Sequence, residues 1–365
     1  MGSIDFNIEN YSASDVLYNR WMTHGDMAKG DVLFTTEAPL GNVAQVPDNR
    51  RYVLSQRTIL LRAKRAEFDN IFLYYVLQSP EFQRLLVDNA SGSTALGIQR
   101  RRLELLEIAS PPLKMQQKIA AALNEADLLI GSLEGLIAKK LDVKQGMMQD
   151  LLTGRTRLPG FTGDWHEVEL GQLGVFLKGR GINREQVRPS GIPCIRYGEL
   201  YTAYHDYARE TVSFVDPDVA SSALPIRSGD LLFAGSGETK AEIGMTVAYV
   251  GEADAVAGGD IIVLRGTGFD PIFVGSLLNT PTLVAEKASR GQGDAVVHIG
   301  AGALSALRVR LPAIDEQREI AEVLQGVDAE VEALGRRLES ARAVKVGMMQ
   351  ELLTGRTRLP VKEDV

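Results

Sequence analysis

Two stretches of the chain carry a helical apolar pattern much longer than any other. Positions 119, 123, 126, 130, 133, 137, 140, 144, 147 and 151 read Ile, Leu, Ala, Ile, Leu, Ile, Lys, Lys, Met, Leu. Steps of four and three place them on one narrow stripe of a helix, the a/d seam of a coiled coil. Lys140 and Lys144 interrupt the stripe, and Leu141 and Met148 take it over after a small register shift. The second stretch reads Ile320, Leu324, Val327, Val331, Leu334, Leu338, Ala341, Lys345, Met348 and Leu352. A proline stands before each (Pro112, Pro312), and Thr153-Gly154 or Thr354-Gly355 ends each, glycine suiting a left-handed helix end. About 36 residues per stretch predict roughly 54 Å of helix.

The two stretches belong to an internal repeat. Residues 146–159 recur as residues 347–360, at an offset of 201, and the only change is Asp150 to Glu351. Upstream the likeness is weaker. Gly30-Asp31-Val32-Leu33-Phe34 resembles Gly229-Asp230-Leu231-Leu232-Phe233, and Phe68-Asp69-Asn70-Ile71-Phe72 resembles Phe269-Asp270-Pro271-Ile272-Phe273. Each copy is a divergent globular part followed by a near-identical tail. The globular parts are therefore expected to recognise different things, and the tails to do one job twice. The tails are expected to pair with each other, antiparallel, placing the globular parts at opposite ends of a rod about a pseudo-twofold axis. The alternative is that each helix covers its own globular part. Apolar positions off the seam, including Leu151, Leu152, Leu352 and Leu353, are expected to remain for a partner.

The globular parts read as mixed α/β. Residues 231–233, 245–250 and 260–264 are rich in β-branched and large apolar residues and read as strands; 307–311 and 105–108 read as last strands. Residues 271–278 and 71–77 read as short helices, and 290–293 and 91–94 as polar loops.

Composition removes several function classes. With 45% hydrophobic and 24% charged residues, the chain is ordinary for a globular protein, and no apolar run reaches the ~18 residues of a membrane span. The N-terminus has no basic segment followed by an apolar one, so no secretory signal is read there. Cys194 is the only cysteine and the four histidines are not at metal-motif spacing, which argues against a disulfide or structural zinc and points to the cytoplasm as the default compartment. A net charge of −7 argues, taken alone, against a nucleic-acid binder. The charge is uneven: residues 1–164 hold 19 basic and 19 acidic side chains, residues 165–365 hold 21 and 28. A DNA-binding role must then rest on local patches or on a partner's basic surface.

Catalytic signals are weak. Residues 235–240 (Gly-Ser-Gly-Glu-Thr-Lys) lack the Gly-Lys-Ser/Thr ending of a phosphate loop, and no Gly-x-Gly-x-x-Gly opens a helix. Ser110-Pro111-Pro112-Leu113 fails at both ends as the tetrad of amino-methyltransferases. Pro217-Asp218 followed by Glu238-Thr239-Lys240 fits a loose nuclease pattern of two carboxylates on magnesium with a nearby lysine. The pattern is degenerate, and a turn followed by a solvated loop accounts for it equally. Basic and polar clusters are more informative: Arg50, Arg51 and Arg57; Arg100 and Arg101 after a polar loop with Ser93 and Thr94; Lys178, Arg180 and Arg184; and Arg196 and Lys240. These can neutralise phosphates, while Thr35, Thr36, Gln99, Ser236, Thr239, Gln292 and His298 have side chains suited to base edges.

Pro-Pro-Leu followed by Gln-Gln-Lys-Ile-Ala, a long helix and Leu-Leu-Thr-Gly-Arg-Thr-Arg-Leu, duplicated, resembles the DNA specificity (S) subunits of type I restriction-modification systems. Residues 30–43 and 165–171 also look like that family. The resemblance implies two target recognition domains, at 1–112 and 161–312, separated by helical conserved regions at 113–160 and 313–365. It implies that each recognition domain reads one half of a bipartite, asymmetric site in double-stranded DNA. The helices would set the spacing and dock methyltransferase (M) subunits, two being expected. Candidates for that seam and docking are Ile119, Leu123, Ile130, Leu133, Ile137, Met147, Leu151 and Leu152, with Ile320, Leu324, Val331, Leu334, Leu338, Met348, Leu352 and Leu353. No catalysis, metal or cofactor is implied in this chain; S-adenosylmethionine, ATP and magnesium belong to partner subunits, including restriction (R) subunits. One departure stands out: 64 residues from Trp165 precede Gly229-Asp230, whereas 29 precede Gly30-Asp31. The first recognition domain thus reads as shortened on its N-terminal side, and a remnant that binds M subunits without reading a full site is the alternative function.

Overall fold

A computed structural model describes residues 14–360, except residues 24, 65, 93, 241, 294 and 295. The fold is mixed α/β with two very long helices, and the chain divides into two compact units: Met1–Leu136 with Leu334–Val365, and Ile137–Ala333.

Unit 1 begins with α1 (Asp15–Trp21), capped by the Ser14 hydroxyl accepting from the Leu17 amide. Strands β1 (Val32–Thr35), β2 (Val43–Gln45) and β3 (Thr58–Leu61) form an antiparallel sheet in the order β2-β1-β3. Helix α2 (Asn70–Gln78) starts where the Asp69 carboxylate accepts the Ile71 and Phe72 amides, and α3 (Pro80–Asp88) starts at Ser79 with proline in its first turn. A short α4 (Arg100–Leu103) leads to α5 (Leu113–Leu151). Apolar positions of the sheet, α2 and α3 (Phe34, Phe72, Tyr75, Leu86) close on Leu123 of α5 and on Leu352 and Leu353.

Unit 2 opens with β4 (His166–Glu169), one turn of helix α6 (Leu170–Leu173) and β5 (Gly174–Lys178). There follow β6 (Val187–Arg188), β7 (Ile192–Ile195), α7 (Glu199–Thr202), β8 (Tyr207–Ala208), β9 (Ser213–Val215), α8 (Pro217–Ser222) and β10 (Leu224–Ile226). The chain then forms β11 (Leu231–Ala234), β12 (Ser236–Gly237), β13 (Thr246–Tyr249), β14 (Ala255–Ala257) and β15 (Ile261–Gly266). It ends with α9 (Pro271–Leu278), α10 (Pro281–Arg290), β16 (Val297–His298), α11 (Ala301–Ser305), β17 (Arg308–Leu311) and α12 (Ile314–Leu352). One sheet runs β5-β15-β11-β13-β8, a second β10-β14-β7-β9-β6, and β12–β16 and β17–β4 are paired ribbons. Strand β11 is buried at every position, as a central strand covered on both faces must be.

The repeat is visible in the bonds. Asp31, fully buried, receives the Arg62 guanidinium (Nε–Oδ1 2.8 Å); Asp230 receives Arg265 in the same way (2.9 Å). Gln116 accepts the Asp69 amide (2.9 Å) and donates to the Pro111 carbonyl (2.7 Å); Gln317 does the same with Asp270 (3.0 Å) and Pro312 (2.9 Å). In unit 1, Lys345 of α12 meets Asp127 of α5 at 2.6 Å and Arg342 meets Glu134 at 2.7 Å. In unit 2, Lys144 meets Asp328 at 2.7 Å and Lys140 pairs with Glu330. In each unit the pairs climb one helix as they descend the other, which is the antiparallel sense.

Three expectations are corrected. Leu151 and Leu152 lie in the core of unit 2 and Leu352 and Leu353 in that of unit 1, at most 7% exposed, so they are not left over for a partner. Burying four leucines under a globular part is worth more than leaving them on a helix surface. Leu141 does not take over the seam: it is 48% exposed, while Lys144 is an ion-pair site beside Asp328 (2.7 Å) and Asp206 (3.7 Å). Residues 105–108 form no strand. Their counterpart strand β17 exists because β4 pairs with it, Val309 opposite Val168, and among the described residues no strand faces 105–108.

Candidate nucleic-acid interface

In unit 2 the turn after β11 runs into β12, which pairs with β16 in the register Ser236↔His298. The Ser236 hydroxyl and His298 Nδ1 lie 2.9 Å apart. Below them the Tyr201 hydroxyl donates to the Ser236 carbonyl (2.7 Å), and burial pushes that phenol's pKa up, so it stays a donor. The Gly235 amide donates to the Asp260 carbonyl (2.7 Å), and the Ile299 amide to the Gly235 carbonyl (3.0 Å), locking the turn from both sides. A cleft of about 520 Å³ opens here, lined by Lys178, Ser236, Asp260, Arg290, Gln292 and His298 among others. One predicted phosphate ligand, Lys178, and three predicted base-edge residues are therefore brought together. Arg290 was not singled out by sequence; its pairing with Glu286 (2.7 Å) on α10 aims it at this cleft. Its place at the last position of an amphipathic helix, just before the Gly291-Gln292 turn, was the available signal.

A second cleft of unit 2, about 690 Å³, is lined by Arg184 and Arg196 with Asn183, Tyr197 and Thr202. Arg196 is held by Glu199 (Nε–Oε1 2.8 Å), itself buried and accepting from the Ser213 hydroxyl (2.6 Å). Asp260 borders both clefts. Arg180 is exposed and lines neither. Thr239 donates to Glu242 (2.9 Å) on the exposed loop that also carries Lys240.

In unit 1 the same turn has different side chains. The Thr36 amide donates to the Arg57 carbonyl (2.8 Å) and the Ile98 amide to the Thr36 carbonyl (2.9 Å), reproducing the lock around Gly235. Where unit 2 sets Ser236 opposite His298, unit 1 sets Glu37 opposite Gly97. Arg57 pairs with Glu37 at 3.0 Å. The Thr35 hydroxyl donates to the Pro39 carbonyl (2.6 Å) and accepts from the Asn42 amide (2.9 Å), so it shapes the turn. Thr36 likewise donates to the Arg57 carbonyl (3.1 Å). Gln99 and Thr94 are exposed, as are Arg100, paired with Glu104 at 2.8 Å, and Arg101. Arg50 pairs with Asp48 (2.9 Å), and Arg51 pairs with Asp15 (2.9 Å) and stacks on Tyr18, away from that turn. Ser93 lies outside the described residues.

No group of three or more His, Cys, Asp or Glu able to hold a metal occurs among the described residues. Cys194 is buried, its thiol pushed up to about 11 by burial, which makes it inert. No helix among the described residues is long and apolar enough to cross a membrane.

On the helices, Ile119, Leu123, Leu133, Ile320, Leu324, Leu334 and Leu338 are buried, and Ile130, Ile137, Met147, Val331 and Met348 half-buried. The apolar residues left exposed are others: Leu128, Leu129 and Leu136 with Val344 and Val346 in unit 1, and Leu141 and Val143 in unit 2.

Residues 25–139 match the family model of the type I restriction modification DNA specificity domain. The chain is 24% identical over 332 residues (87% of it, 77% of the relative) to the type I restriction enzyme MjaVIII specificity subunit of Methanocaldococcus jannaschii. Its fold is similar to a crystal structure of a type I restriction-modification S subunit from M. genitalium, with TM-score 0.60 and 18% identity over 96% of this chain and 88% of that one. It is also similar to a chain solved in a study of complex assembly and conformational transition of the type I R-M system, with TM-score 0.54 and 18% identity over 90% and 82%. The duplicated mixed α/β fold, the domain match over residues 25–139 and the long alignment together make this chain similar to the DNA specificity (S) subunits of type I restriction-modification systems.

Proposed function

We propose that the chain reads a bipartite, asymmetric DNA site, one half with each unit, and docks methyltransferase subunits that do the chemistry. The observation that carries this reading is the contrast within the repeat. The buried pairs that build the two units are the same, whereas the side chains presented at the equivalent turn differ: Ser236 and His298 in one, Glu37 and Arg57 in the other. Two readers on one scaffold with different edges select two different half-sites. Lys178, Arg184, Arg196 and Arg290 would hold phosphates around the unit 2 clefts, and Ser236, Gln292 and His298 would meet base edges. The net charge of −7 is tolerable if M subunits supply much of the phosphate grip. Leu128, Leu129 and Leu136, together with Val344 and Val346, are the helix positions that suit M-subunit docking in unit 1, because they are apolar and exposed. The domain boundaries 1–112, 113–160, 161–312 and 313–365 are kept as the working division.

The test is co-expression with the cognate M subunit followed by genome-wide mapping of methylated adenines by long-read sequencing. A bipartite motif with two unlike halves is expected. A contiguous or palindromic motif would assign reading to unit 2 alone, and co-purification with M but no motif would leave only the docking function.

A further inference from the structure

We propose that the groove beside β3 in unit 1 binds an extended strand–turn–strand segment of a partner polypeptide, seated as β4–α6–β5 is seated in unit 2. Among the described residues strand β3 is an edge strand: it pairs there with β1 (Leu33↔Leu60) and with no other. Its equivalent, β15, pairs with β11 in the same register (Leu232↔Val263) and is then covered by β5 on its other side (Val263↔Leu177). The unit 1 groove is about 700 Å³ and mostly apolar, lined by Ile59, Leu61, Leu73, Leu77, Leu106 and Ile108 among others. At the 201-residue offset Leu106 and Ile108 correspond to Leu307 and Val309. In unit 2 the Leu307 carbonyl accepts the Leu170 amide (2.9 Å), and Val309 pairs with Val168. The chain thus carries its own picture of what fills such a groove: a segment that adds one strand to the sheet edge and sets alternate apolar residues into the cleft.

The charges specify the occupant further. Arg308 of β17 meets Glu167 and Glu169 of β4, each at 3.5 Å. The residue in its place in unit 1 is Glu107, which is exposed. The partner segment therefore carries Lys or Arg where β4 carries glutamate.

Backbone geometry supplies a specific test. The Thr36 amide donates to the Arg57 carbonyl, so 57, 59 and 61 turn their backbone groups toward β1, and Leu60 turns its own outward. The probe is a fluorescein-labelled peptide with the sequence of residues 164–179, titrated into the full chain and read by anisotropy. Saturable binding is expected, tightened by Glu167→Lys and Glu169→Lys in the peptide. Methylating the Leu177 amide nitrogen of the peptide is expected to weaken binding by roughly tenfold or more, since it removes a ladder bond. Leu60→Pro in the chain should do the same while Leu60→Ala does not, and the peptide arm needs no change to the fold. The proposal is overturned by absence of saturable binding, or by binding indifferent to amide methylation. It is also overturned by binding that prefers the native glutamates and ignores Leu60→Pro, because such a peptide would be displacing residues 166–178 in unit 2. None of these outcomes depends on DNA reading.

Discussion

The two units share their struts and differ at their edges. Asp31–Arg62 and Asp230–Arg265 fix the start of β1 and of β11, and Gln116 and Gln317 tie the root of each long helix to the cap of α2 and of α9. These are buried, bidentate or multiply bonded groups, and losing either partner would strand the other away from water. At the turn after β1 and β11 the backbone bonds are kept and the side chains are not: Glu37 and Arg57 face solvent in unit 1, Ser236 and His298 face a cleft in unit 2. The difference teaches that the fold is held by backbone locks and buried pairs, so the exposed positions between them are free to change without changing the fold.

The sharpest way to break this comparison is to alter one edge only. Ser236→Ala with His298→Ala is expected to relax one half of the methylation motif by roughly tenfold or more and to leave the other half unchanged; Arg57→Ala with Gln99→Ala should do the converse. Loss of both halves from either pair would deny the two-reader reading.

Next in size are the mirrored lysines. Lys144 stands between two carboxylates, Asp328 and Asp206, whereas Lys345 meets Asp127, which also accepts the Tyr75 hydroxyl at 2.8 Å. Lys144→Met is expected to destabilise the chain by about 3 kcal/mol and Lys345→Met by about 1 to 2 kcal/mol in urea unfolding, because more buried charge is stranded in the first case. Equal losses would show the two sites to be energetically equivalent.

The near-identical tails offer a smaller contrast. Arg157 makes a fork with Glu316 (2.5 and 2.6 Å), whose carboxylate is 1% exposed, while the matching Arg358 is exposed and Met115 stands where Glu316 would be. Arg157→Ala should lower Tm by several degrees, and Arg358→Ala should leave it unmoved. A shared value for both would mean the fork carries no stability.

The last contrast is between Leu86 and Lys287, which occupy the same repeat position and are both fully buried. Burial holds the Lys287 amine down at about 7, its Nζ donating to the Gly244 carbonyl (2.5 Å). Between pH 7 and the ordinary lysine range the unfolded chain binds the extra proton, so this group makes stability rise with pH. The Tm of the wild type relative to Lys287→Met should therefore climb by a few degrees from pH 7 to 9.5. A flat difference would mean the amine is charged in the folded state.

Much of this was legible without coordinates. Helix 271–278 was read to its residue bounds, since Asp270 caps it, proline opens it and an apolar run fills it. The buried β11 and the long helices were equally plain, because periodicity and repeat length are local properties of the chain. The strand expected at 105–108 was not found, because strand pairing depends on a partner that the local pattern does not name. Leu151, Leu152, Leu352 and Leu353 were expected at a partner's surface and lie in the cores, because a heptad count cannot say how far along a helix the globular part reaches. At the candidate interface, residue type pointed to His298 and Ser236, but not to their meeting across 62 residues, nor to Thr35 spending its hydroxyl within its own turn.

By itself, the sequence determined the duplication, the two long helices and the mixed α/β class, since each is written in the spacing of apolar residues along one chain. Tertiary structure alone decided which arginines are tied up in pairs, which leucines are core and which edge of a sheet stays open. Those depend on what lies opposite in space, and burial and hydrogen bonding, unlike periodicity, are properties of the pair.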